Sequence, residues 1–254
     1  MQPPDFEESA RELAKLADQG VAEAVGEEPV VAVAFSGGVD SSVVARCAMR
    51  YAKVVACAAF APGAGDAVRA RAGADALGVD LVATEVTEST VTEELASMRL
   101  PFEPTLMDRS LWCLYSTVSK SASKAGSKVL LLGQMADELF GGYAKYAEAL
   151  DTLGEDAARK MMATDAEEYG GRGRVRDVLA CKPWVEARFP FEARQIEEFA
   201  DALPLGFKIR AGVRKAVLRR AAVILGVPEQ VAGAPKKAAQ YSSGVQKLVA
   251  ASHF

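Results

Sequence analysis

This sequence predicts an α/β fold with a doubly wound parallel sheet, and three observations carry the prediction. Four strand-length apolar runs lie in the first half of the chain, at 30–35, 53–60, 81–86 and 129–132. Helical stretches separate them, so each strand reaches the next by a crossover rather than a hairpin. The first run, Val30-Val31-Ala32-Val33-Ala34-Phe35, is apolar on both faces and rich in valine, which suits a strand covered on both sides.

Residues 6–25 set Phe6, Leu13, Leu16, Ala17, Val21 and Val25 among charges, an amphipathic helix ahead of the first strand. The turn Ser36-Gly37-Gly38 follows that strand, and a helix over 40–51 turns Val43, Val44 and Cys47 inward. The second strand ends in a small-residue loop, Pro62-Gly63-Ala64-Gly65, before an alanine-rich helix over 67–77 that stops at Gly78. A short helix over 90–98 follows the third strand, Pro101 and Pro104 mark a loop, and a helix over 110–125 takes Gly126 as its C-cap. After residue 133 the segments 137–150, 155–168, 192–202 and 212–226 read as helices, and no further strand is expected. The chain is read as one domain, 1–254, with an α/β core over 1–135. A mainly helical portion, 136–254, is expected to cover the carboxyl edge of the sheet, where such folds bind ligands.

Half of the 254 residues are hydrophobic, a quarter are charged and the net charge is −4, so no global basic field recruits nucleic acid. No apolar run is long enough to span a bilayer, and the acidic start shows no secretory signal. Cys47, Cys57, Cys113 and Cys181 are widely spaced and form no CxxC pair, which points to reduced thiols, a cytoplasmic setting and no zinc site. His253 is the only histidine, so the chemistry is expected to rest on carboxylates, lysine and a bound metal.

The turn at 36–42 reads SGGVDSS. Strand, glycine turn and helix aim free backbone N–H groups at an anion, glycines let phosphate oxygens approach, and the serines add hydroxyl donors. With no lysine in the turn, it is not the GxxxxGK[ST] loop of common nucleotide triphosphatases. It resembles instead the loop of the PP-loop ATP pyrophosphatases, which split ATP into AMP and pyrophosphate. Residues 133–146, GQMADELFGGYAKY, follow the fourth strand and belong at the same sheet edge, so that Asp137 lies near Asp40. Facing carboxylates beside a triphosphate can hold Mg²⁺. Glu138 also fits an ordinary acid at a helix N-terminus.

Taken together, SGGVDSS and ADELFGGYxxY resemble the synthetase domain of the asparagine synthetase family and its relative, β-lactam synthetase. Three further stretches agree in order: Val185 to Phe191 with GVELRVPF, Lys215 to Arg219 with KxxLR, and Gln240 to Val245 with QFSDGV. The resemblance implies that a substrate carboxylate attacks the α-phosphorus of ATP, and that an amine or ammonia then displaces AMP. By matching position, Ser36, Gly37, Gly38, Asp40, Ser41 and Ser42 would hold pyrophosphate and Mg²⁺, and Asp137 would complete the metal site. Ala58, Ala59 and Gly133 would bracket the adenosine. The family's QFSDGV lysine falls on Ala238, so Lys236 and Lys237 are the candidates to stabilise the departing pyrophosphate. Gln134 stands where asparagine synthetases carry a glutamate, and cannot act as a base. Met1 is followed by Gln2 rather than a nucleophilic cysteine, and no glutaminase domain is visible. Glutamine is therefore not expected as a direct nitrogen source.

The expected partner is a small-molecule acceptor; a separate ammonia-supplying subunit and a homodimer stay open. Two rival readings are a tRNA-modifying or sulfur-transferring pyrophosphatase, and an ATP-binding regulatory module without turnover. Asp108, Arg109 and Ser110 are weighed as acceptor contacts against an N-cap for Asp108 or Ser110. Glu186 and Arg188 are expected as a buried ion pair, and Gly170 to Arg174 as a flexible basic turn, weighed as a solvated loop against a ligand contact.

Overall fold

The computed structural model of the protein describes residues 5–234 and 243–252. Its central sheet runs in the order β3–β2–β1–β4–β5, from β1 (Val30–Ala34), β2 (Lys53–Phe60), β3 (Asp80–Glu85), β4 (Val129–Leu131) and β5 (Glu186–Arg188). Every pairing is parallel. The chain steps outward from β1 through β2 to β3, then returns to the other side of β1 for β4. The carboxyl ends of β1 and β4 thus flank a topological switch point, where successive connections leave on opposite faces and open a crevice.

The connections are helical: α1 (Phe6–Val25), α2 (Val39–Ala48), α3 (Asp66–Leu77), α4 (Glu88–Ser97) and α5 (Leu106–Lys124) in the first half. Then come α6 (Ala136–Phe140), α7 (Ala144–Leu153), α8 (Glu155–Glu168), α9 (Arg174–Cys181), α10 (Arg194–Ala202), α11 (Leu205–Lys208), α12 (Ala216–Ile224), α13 (Glu229–Ala232) and α14 (Val245–Ala251). Strand alternation divides the core. Val31 and Val33 of β1 and Val129 and Leu131 of β4 pack with α1, α2 and α12 on one face. Ala32 and Leu130 face α5 and α14 on the other. Both faces are covered, which is why the strands read as unbroken apolar runs. Tyr146, Ala149, Ala158, Met162, Leu205 and Ile209 form a separate small cluster between α7, α8 and the segment after α10. Among the described residues no helix is long and apolar enough to cross a membrane.

Several expectations for the second half need correction. A strand does follow residue 133, because Glu186–Arg188 pairs with β4 in parallel register. It is a polar edge strand of three residues and so lacks an apolar run. A small antiparallel pair, β6 (Ile209–Arg210) and β7 (Val213–Arg214), occupies the start of the helix expected over 212–226, which begins only at Ala216. The helix expected over 137–150 is two, broken where Gly141 takes a φ of 73°. Glu186 and Arg188 do pair, at 2.8 Å and 2.9 Å, but Glu186 is exposed rather than buried. Arg188 also donates to the carbonyls of Ala24 and Val25 and so ties the end of α1 to the sheet edge. Gly170 to Arg174 is no solvated loop. Tyr169–Gly173 is a π-helical turn that runs into α9, and its Arg172 donates to Asp108 at 2.7 Å.

Candidate active site

A cavity of about 390 Å³ opens at the switch point. Ser36, Gly38, Asp40 and Ser41 line it from the end of β1, Gly133 and Asp137 from the end of β4, and Ala58 and Ala59 from β2. Eight of the residues singled out from sequence therefore face one space. Gly37 and Ser42 stand behind it and do not line it. Lys236 and Lys237 lie outside the described residues.

The loop is held by its own hydroxyls. The Ser36 N–H donates to Ser41 Oγ at 3.3 Å, Ser41 Oγ donates to the Gly38 carbonyl at 3.2 Å, and the Gly38 N–H donates to Ser36 Oγ at 3.3 Å. Gly37 must be glycine twice over. Its φ is 69°, and a Cβ there would lie 2.6 Å from the Arg69 carbonyl oxygen of α3. Arg69 in turn donates to the Ser36 carbonyl at 3.2 Å and pairs with Asp66 at 2.9 Å, so α3 braces the loop from outside. Ser42 Oγ is buried with no hydrogen-bond partner among the described residues.

Lys215 opens the KxxLR stretch and carries no local signal of a role in the site, yet its ammonium joins the two site carboxylates. Lys215 Nζ donates to Asp40 Oδ1 and Oδ2 at 2.7 Å each and lies 2.8 Å from Asp137 Oδ1. Burial opposes its charge, but Asp137 and Asp40 outweigh it and hold the ammonium above the ordinary lysine range. Lys215 adopts a left-handed backbone, φ 57°, at the N-terminus of α12, and Met135 does so, φ 70°, at that of α6. Such conformations cost about 1 kcal/mol each outside glycine and persist where surrounding contacts demand them. Here one aims Lys215 at the carboxylates and the other turns the chain between Gln134 and Asp137. Gly142 makes room, since a Cβ on it would meet Asp137 Oδ1 at 1.7 Å and Lys215 Cε at 2.3 Å. Glu138 is buried and accepts from the Tyr143 hydroxyl at 2.8 Å; burial and the Asp137 charge push its carboxyl upward.

The far side of the cavity is a polar network. Gln134 donates to Asp177 at 2.6 Å and to the Tyr115 hydroxyl at 3.0 Å. Asp177 is fully buried, so burial pushes its carboxyl up, although Arg176 and Gln134 favour the charge. Arg176 bridges Asp177 and Asp108, and Arg172 shares Asp108. Burial opposes the Asp108 charge, but hydrogen bonds from Arg172, Thr105 and Arg176 prevail and set it at about 2. The N-cap of α5 is Thr105 rather than Asp108 or Ser110, and Asp108 completes a capping box with it. Asp108 and Arg172 line the cavity, whereas Arg109 and Ser110 do not. All four cysteines are buried, and burial raises the thiols of Cys47, Cys57 and Cys113 to about 12, which removes thiolate chemistry at neutral pH.

Against known proteins, the model of the asparagine synthase family matches residues 12–154 and 150–252. The chain belongs to the asparagine synthase family. A Methanocaldococcus jannaschii protein described as a glutamine-hydrolysing asparagine synthetase is 28% identical over 98% of this chain and 52% of its own length. The asparagine synthetase domain-containing protein 1 of Mus musculus is 33% identical over 49% of this chain and 21% of its own. The chain thus spans about half, or about a fifth, of these relatives. Among solved structures, an NMN synthetase from Francisella tularensis aligns with TM-score 0.48 and 11% identity, covering 97% of this chain and 85% of that one. Membership and the parallel sheet agree with the PP-loop α/β architecture expected from sequence.

Proposed function

We propose that the protein is an AMP-forming carbon–nitrogen ligase. It would adenylate a substrate carboxylate with ATP, release pyrophosphate and pass the acyl group to ammonia or an amine. One observation supports this reading above the others. Two carboxylates from the ends of β1 and β4 converge at the switch point on one buried lysine, next to a serine–glycine loop that opens α2.

In this reading the loop hydroxyls and the N–H groups at the start of α2 hold the β- and γ-phosphates. The apolar wall at Ala58 and Ala59 takes the adenosine. The donor set fits Mg²⁺, a hard cation that prefers oxygen. Asp40 and Asp137 would hold it, and when bound it neutralises charge on the departing pyrophosphate. An acceptor carboxylate oxygen attacks the α-phosphorus, and the bond to the β-bridging oxygen breaks with its electron pair leaving on pyrophosphate. The amine nitrogen then attacks the acyl carbon, and AMP departs. Lys215 stabilises the oxygens of the leaving group, and Lys236 and Lys237 remain candidates for the same work. All four cysteines are buried, so none of them is placed to release ammonia from glutamine.

Labelled ATP incubated with a panel of carboxylic acids, ammonium and simple amines tests the proposal. Substrate-dependent AMP and pyrophosphate are expected, and Asp40→Asn or Asp137→Asn should cut both by about a hundredfold or more with circular dichroism unchanged. Substrate-dependent ADP and phosphate would show the wrong bond to have been assigned.

A further inference from the structure

The Lys215 ammonium occupies the place between the two carboxylates that a metal ion would need. It takes both oxygens of Asp40, at 2.7 Å each, and Asp137 Oδ1 at 2.8 Å. Its side chain is 1% exposed, while those of Asp40 and Asp137 are 19% and 14% exposed. The notch therefore opens to the cavity from the carboxylate side and is closed at its back by the lysine. Among the described residues no group of three or more His, Cys, Asp and Glu side chains could hold a metal. Two carboxylates supply too few oxygens for a divalent cation that wants about six, and the others must come from phosphate and water. Charge points the same way. Two carboxylates balance one lysine with a single negative charge to spare, and a divalent cation added to them leaves the notch net positive. A triphosphate reverses that sign and offers Lys215 new oxygens.

We infer that Lys215 is an internal counter-ion that keeps the carboxylate pair closed to divalent metal until ATP arrives, so that Mg²⁺ enters only with the nucleotide. The inference rests on the reading of Asp40 and Asp137 as the metal carboxylates. The lysine holds the two strand ends together without ATP and yields one or both carboxylates when the phosphates come within its reach. Its stem can do so because it runs past Gly142, where no side chain stands in the way.

Mn²⁺ uptake, followed by the electron paramagnetic resonance of the free ion, tests this with and without α,β-methylene ATP. Wild type should take up Mn²⁺ only when the nucleotide is present. Lys215→Met and Lys215→Gln should bind Mn²⁺ without nucleotide at least about tenfold more tightly than wild type, since a unit charge beside the site has gone. Adding Asp137→Asn should erase that gain, and Lys215→Arg, which keeps the cation, should behave as wild type. Thermal unfolding with and without Mn²⁺ gives a second readout: the Met and Gln variants should be stabilised by the metal alone, and wild type should not. Equal Mn²⁺ uptake in wild type and both neutral variants overturns the inference. If nucleotide-dependent uptake is still lost in Asp40→Asn and Asp137→Asn, the metal reading survives that failure. Uptake that persists in both of those variants overturns the metal reading itself.

Discussion

Gly142→Ala should damage the site without disturbing the core, and the structure says by how much. Gly142 does not carry a positive φ, so alanine costs its backbone nothing there. The added Cβ would sit 1.7 Å from Asp137 Oδ1 and 2.3 Å from Lys215 Cε. Restoring ordinary contact requires a movement of more than about 1 Å, and the Asp137–Lys215 contact at 2.8 Å cannot survive it. Lys215 keeps Asp40, so the loss is one buried charge-assisted bond, about 2–3 kcal/mol in stability. On the proposed function, in which this site positions reacting phosphates, a displacement of that size costs about a hundredfold in turnover. Urea unfolding of the purified protein measures the first quantity, and pyrophosphate release measures the second. Gly170→Ala is the control, because a Cβ at Gly170 meets nothing within 4 Å. Wild-type stability and turnover in Gly142→Ala would refute the claim that this glycine exists to admit the lysine–carboxylate contact.

Two further substitutions probe buried charge away from the lysine–carboxylate trio. Lys208 is buried, and desolvation together with the nearby Arg159 charge lowers its ammonium from 10.5 to about 8. The unfolded chain therefore binds a proton that the folded one rejects between those values, and stability should rise with pH across that window. Lys208→Met should stabilise the protein at pH 7 by up to about 3 kcal/mol, with the gain fading toward pH 10 in thermal scans. No gain at pH 7 would show that the ammonium is well solvated. Gln134→Glu should not improve the site. It would set a second carboxylate beside Asp177, 2.6 Å from the present amide, and remove a hydrogen-bond donor. A destabilisation on the order of 2 kcal/mol at pH 7 is expected, smaller near pH 5 where the pair can share a proton. Equal stability at both pH values would argue against the contact.

The α/β half of the fold was legible because β1, β2 and β4 are buried on both faces and so read as apolar runs. The turn at 36–42 was legible because its glycines and serines follow a strand at close spacing, and the structure uses them to bend and brace the chain there. What escaped has equally physical reasons. Glu186–Arg188 is a strand by virtue of one neighbour, β4, and no local pattern records that neighbour. Lys215 is 175 residues from Asp40, and a lone lysine before an apolar helix looks like any surface lysine until the fold buries it. Three glycines at Gly170, Gly171 and Gly173 suggested a loop by propensity. Arg172 and Tyr169 override that propensity through their bonds to Asp108 and Asp177.

The small cluster under α7 and α8 has a consequence for how such a protein can change. Tyr146, Ala149, Ala158 and Met162 of the α7–α8 hairpin pack with Leu205 and Ile209 in a cluster of their own, apart from both faces of the sheet. Yet this hairpin also sends Lys145, Asp165 and Glu168 to the rim of the cavity. Substitutions there can redraw the rim while the strands, the loop and the lysine–carboxylate trio keep their positions. A lineage could thus change what the cavity admits by rewriting a single helical hairpin, and a chimera that grafts 144–168 from a relative is the natural unit of exchange.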